Sequence, residues 1–197
     1  VGNRIFVRML HEDGVAAFSV VCYLIPIFFM ISSAITQSAQ PIVSYNYGAG
    51  NKSRVVSAFR ITLIMAVLCG ALVTLLFVYL PEPLTLMFLK EDAQAYPIAI
   101  NGLKVFAAGF VTFALNIVFV GFYQSIELAR RATWFTLLRG FILMIPAFII
   151  LPKLIGVDGL WLAVPCAEVL TFIVILADFV FLRRYKKGEV NDNVLRE

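Results

Sequence analysis

The chain has 197 residues, 61% of them hydrophobic and only 14% charged, with 18 phenylalanines and a net charge of +4. A soluble domain carries about 25% charged residues, and a single core of this size does not hide so much apolar surface from water. The composition excludes a soluble globular domain and, with a mean hydropathy of +0.93, points to an all-α polytopic membrane protein.

Five apolar segments of spanning length occur in chain order, over residues 15–47, 55–79, 96–123, 133–151 and 159–182. A helix needs about 20 residues to cross the hydrocarbon layer, at about 1.5 Å per residue. β-spans alternate in polarity and run to only about ten residues, so helices are expected. Residues 1–14 read as the remnant of a preceding helix and an extracytoplasmic loop, 15–182 as the five-helix membrane part, and 183–197 as a polar tail. The first segment is longer than a bilayer requires, which predicts a tilt, a projection beyond the membrane or a kink at Pro26.

The short connections carry an alternating charge bias. Lys52, Arg54, Arg60, Arg130, Arg131, Arg139, Arg183, Arg184, Lys186 and Lys187 gather on one side, against Lys90 and Lys153 in the opposite loops. The positive-inside rule then predicts a multi-pass protein of the cell's inner membrane with a cytoplasmic C-terminus. Between the first two segments, Gly48 and Gly50 are expected to end a helix and Asn51 to cap the next.

Polar groups within the spans mark the candidate cavity. At about 100° per residue, Ser33, Gln37, Gln40 and Ser44 share one helix face beside Pro41. Glutamine is poorly placed against lipid, so this stripe reads as a cavity wall or as a polar helix contact. In the third segment Asn101, Lys104, Thr112, Asn116, Tyr123 and Glu127 fit within an arc of about 140°. Lys104 either snorkels or offers its ammonium to an anion. Glu127 is expected to pair with Arg130 or Arg131, and Asp178 with Arg183.

Glu168 lies about nine residues into the fifth segment, about 14 Å along the helix and near mid-bilayer. A carboxylate there must be paired, hydrated or protonated, which makes it the proton-coupling candidate. A structural bond to a neighbouring helix is the competing reading. Trp161 suits an interface anchor and Pro165 a bend. Cys22, Cys69 and Cys166 lack metal or disulfide spacing, and His11 is the sole histidine. There is no nucleophile–base–acid set, and GAG lacks the GxxxxGK phosphate-loop pattern. Neither an enzyme, a metal site nor a cofactor is expected, and nothing suggests nucleic acid as a partner.

The run ITQSAQPIVSYNYGAGNKSRV resembles the multidrug and toxic compound extrusion (MATE) transporters, as does GFYQSIELARRATWFTLLRGFILMIPAFIILPKLIGVDGLWLAVPCAEVL. The likeness is nearest to the MepA-like branch. It implies twelve helices in two six-helix lobes around a central cavity, with drug leaving by alternating access as Na⁺ or H⁺ enters. The five spans would then correspond to helices eight to twelve, with Val1–Leu10 as the end of helix seven and the first lobe missing.

The resemblance also implies amphipathic, often cationic substrates, which Lys104 would disfavour nearby. The cation sites of family members use acids on the first, seventh and tenth helices. The tenth-helix equivalent has Asn101, Lys104 and Asn116 but no interior aspartate, so that site does not carry over. Two alternatives stand beside the antiporter: a flippase for lipid- or polyisoprenoid-linked substrates, and a non-transporting membrane scaffold.

Overall fold

In a computed structural model, which describes residues 2–194 and the side chains of 12–182, every spanning segment is helical. Eight α-helices occur in order among the described residues: α1 (Gly2–Gly48), α2 (Lys52–Tyr79), α3 (Pro81–Leu86), α4 (Ala95–Phe106), α5 (Phe110–Ser125), α6 (Ala129–Leu137), α7 (Met144–Ile155) and α8 (Val157–Val194). They form five membrane spans: Glu12–Gly48, Lys52–Tyr79, Ala95–Ser125, Ala129–Ile155 and Val157–Leu182. Each is continuous because a backbone inside lipid must satisfy its own hydrogen bonds.

The limits of these helices reflect local chemistry. α1 ends at Gly48, Gly50 takes a positive φ of 71°, and the Asn51 side chain accepts from the Arg54 N–H at 3.2 Å. This is the expected glycine exit and asparagine cap. Residues 2–14, expected to include a loop, instead continue α1 without a break. Pro26 and Pro41 both lie inside the same helix. Beyond residue 182 the backbone remains helical to Val194, and the expected Asp178–Arg183 pair falls outside the described side chains.

Two of the spans are not uniform. Residues Ala107–Gly109 form a 3₁₀ turn between α4 and α5. Its Ala107 carbonyl accepts from Thr74 of α2 at 3.1 Å, and its Gly109 carbonyl accepts from Thr112 at 3.0 Å. Residues Leu138–Ile142 form a π turn between α6 and α7, closed by the Leu143 N–H donating to the Leu138 carbonyl at 2.9 Å.

The span α4–α5 is the central one, packed against α1, α2 and α8, while α6 and α7 lie to one side of it. Aromatic rings fill its contacts: Phe110 meets Phe28 and Phe77 at centroid distances of 4.8 and 4.6 Å, and Phe59 meets Phe119 at 5.3 Å. Helices in lipid associate through such close packing because the solvent is as apolar as their side chains. Trp161, expected at the membrane interface, is buried instead. Its ring occupies the space that a Cβ at Gly102 would need, at 2.4 Å.

Candidate functional site

The polar stripe on α1 meets α5 and the π turn across a recess of about 200 Å³. Ser33, Gln37 and Gln40 line it, joined by Thr36 of α1, Gln124 of α5, Thr136 of α6 and Arg139 of the π turn. Gln40 Nε2 donates to Gln124 Oε1 at 3.2 Å, tying the two walls. The helices approach closely here because α5 presents Gly121: a Cβ would sit 2.1 Å from Thr36 Cγ2. Ser44, the fourth member of the stripe, lies beyond the recess, with its hydroxyl donating to the Gln40 carbonyl at 3.0 Å.

Behind the recess lies a buried ionic cluster. Arg139 Nε donates to Glu168 Oε1 at 2.6 Å, and Asn116 Nδ2 donates to Glu168 Oε2 at 2.8 Å and to the Glu168 carbonyl at 2.9 Å. The Glu168 side chain is 1% exposed and that of Arg139 17%. A carboxylate so enclosed requires a partner with good geometry. The guanidinium also sits over the Phe113 ring, 4.2 Å from its centroid, an arrangement that favours a partly desolvated cation. Arg139, grouped by sequence with the loop cations, therefore lies inside the bundle. It turns inward because the π turn inserts one extra residue into the helical repeat, and such turns recur at functional sites.

The MatE family profile matches residues 4–156, most of the chain. The chain belongs to the MATE family. The fold agrees with solved MATE structures. One is described as the outward-facing conformation of a multidrug resistance MATE family transporter of the MOP superfamily. It has a TM-score of 0.82 at 16% identity, covering 94% of this chain and 42% of that one. The MATE multidrug transporter DinF-BH, solved in complex with a drug-like compound, gives 0.75 at 29% identity, covering 92% and 40%. A MOP superfamily transporter from Pyrococcus furiosus, described as having a binding pocket of reverse polarity that suggests a different function, gives 0.80 at 17%, covering 93% and 41%. No curated protein matches the chain. This MATE chain thus spans about two fifths of the transporters it matches, and it is a multi-pass membrane protein.

The remaining candidates of the MATE chain occupy different environments. Asn101 and Lys104 are exposed near the start of the third span. Thr112 is half-buried and bonded to the Gly109 carbonyl. Asn116 is fully buried against Glu168, and Tyr123, also fully buried, donates to Asp178 Oδ2 at 2.8 Å. The single arc drawn through the third segment assumes one helical phase from Asn101 to Glu127. The 3₁₀ turn at Ala107–Gly109 has about three residues per turn and breaks that phase.

Asp178 pairs with Arg131. Glu127, expected to hold that arginine or Arg130, makes no ion pair among the described residues, and its φ of 64° places it at the turn that ends α5. Sequence reasoning missed Gln124, Thr136 and Arg139 as neighbours of the α1 stripe. Gln124 had a visible signal, an amide one residue beyond Tyr123 at the end of an apolar run.

Proposed function

We propose that this MATE chain forms part of a secondary active multidrug efflux antiporter, exchanging amphipathic drug-like compounds for H⁺ or Na⁺ by alternating access. The observation that carries this reading is the recess between α1, α5 and the π turn, where glutamines and an arginine line a space inside a membrane bundle. Polar side chains in a span generally face a cavity or another helix, and this cavity is open to whatever completes the transporter. That completing part is the other lobe, with the five spans standing as helices eight to twelve. Aromatic-rich walls suit amphipathic compounds, and a structural relative is described in complex with a drug-like compound. The basic loops favour a cytoplasmic C-terminus.

Glu168 is the residue assigned to proton linkage. Asn116 Oδ1 is buried without a donor, so an amide rotated end for end would offer an acceptor to a protonated Glu168. Protonation would release Arg139 from its counter-ion and bias the helix carrying the π turn. Linkage of this kind requires that the proton and the drug favour different states.

The test is dye efflux from proteoliposomes containing the full-length protein, under an imposed H⁺ or Na⁺ gradient. Efflux that depends on one gradient and stops when it is collapsed supports antiport; efflux indifferent to both removes it. Glu168→Gln is expected to lower proton-driven efflux at least about tenfold, an energy scale typical of a lost charged hydrogen bond. Unchanged proton-driven efflux in that variant would remove Glu168 from the mechanism.

A further inference from the structure

Arg139 is held on two sides and open on a third. Glu168 takes its Nε–H and the Phe113 ring covers one face of the guanidinium. A guanidinium carries five N–H donors, and neither Nη group donates to any described residue. Arg139 nevertheless lines the recess, alongside Gln37, Gln40 and Gln124. None of the recess-lining residues is acidic. The volume of about 200 Å³ is smaller than the roughly 300–1,000 Å³ of a whole drug-sized site, so the recess fits one end of such a ligand.

The geometry points to an acceptor subsite, in which the free Nη groups of Arg139 bind a carboxylate or carbonyl oxygen at one end of an amphipathic substrate. This rests on the reading of the recess as part of the substrate path. The pair with Glu168 leaves the guanidinium close to neutral overall, which lowers the cost of burying it, yet its unused donors still need acceptors once water is displaced. A fixed guanidinium plane offers two parallel N–H groups to a carboxylate. The same cation repels an ammonium, so a positive group on the compound is held away from this end, against aromatic faces or the opposite lobe. The substrate class is therefore an amphiphile with an acidic or carbonyl end, zwitterions included, rather than a simple lipophilic cation.

The experiment compares two xanthene dyes that differ only as carboxylic acid and ethyl ester, by equilibrium fluorescence binding to the full-length protein in nanodiscs without any gradient. The free acid is expected to bind about tenfold more tightly than the ester, the scale of one charge-assisted hydrogen bond. Two variants then test the ratio of the two affinities. Arg139→Lys keeps the charge opposite Glu168 but loses the fork, and is expected to reduce the ratio at least about threefold. The double variant Arg139→Gln with Glu168→Gln removes both charges together and is expected to bring the ratio near one. Should one variant fail to fold, the other decides. A ratio near one in the unsubstituted protein, or a ratio that survives in the variants, overturns the proposal. Binding preference without gradient-driven efflux would instead count against the antiport reading alone.

Discussion

Glu168 shows what one residue determines here. Its depth is legible from its offset along an apolar run, and depth alone demands a partner. The partner was hidden, because counting basic residues by loop treats Arg139 like Arg130 and Arg131. The buried pair makes a sharp prediction: Arg139→Ala leaves a carboxylate unpaired in a dry site and is expected to cost about 3–5 kcal/mol in stability. Replacing both members by glutamine is expected to cost markedly less, and thermal unfolding of purified protein in detergent compares the two. Tyr123→Phe removes one of the two bonds to Asp178 and is expected to cost about 1 kcal/mol by the same assay.

At the scale of elements, the long apolar helices and their ends were readable, and so was the polar face of α1. Uniform periodicity carried Ser33, Gln37 and Gln40 to the same recess because α1 has one helical phase along that stretch. It failed in the third and fourth spans, where a 3₁₀ turn and a π turn reset the phase, and neither leaves a mark in composition. Deleting Gly140 is expected to convert the π turn to regular α-helix, rotating α6 by about 100° relative to α7. The Arg139–Glu168 pair should then be lost, with a fall in unfolding temperature at least as large as for Arg139→Ala; an unchanged melting temperature would contradict the role given to the turn.

The contact between α1 and α5 makes a second element-scale prediction. Gly121→Ala places a methyl against Thr36 Cγ2 and is expected to cost about 1–3 kcal/mol by overpacking. Adding Thr36→Ser deletes the clashing methyl, so the double variant should recover most of the loss. No recovery would show that the strain lies elsewhere.

On the scale of the whole molecule, the loops and the recess test one arrangement. A cysteine at Asn51, in the loop between α1 and α2, is expected to react with an impermeant maleimide only from the cytoplasmic face, and one at Asp92, between α3 and α4, only from the outside. The reverse pattern would invert the proposed orientation. The composition revealed the membrane class at once, and the Gln–Pro–Ser-Tyr-Asn-Tyr-Gly-Ala-Gly-Asn run pointed to the family. The shape of the recess was beyond reach, since it depends on which faces of α5 and α6 turn toward α1.

The central claim is that this recess lies on a substrate path. Gln37 lines it and is exposed, so the direct measurement is the labelling rate of Gln37→Cys in the full-length protein, with Cys22, Cys69 and Cys166 replaced. A hydrophilic maleimide is expected to label this position, and a saturating amphipathic dye is expected to slow labelling several-fold without affecting a cysteine at Asn51. Failure to label, or a rate indifferent to the dye, would contradict the account.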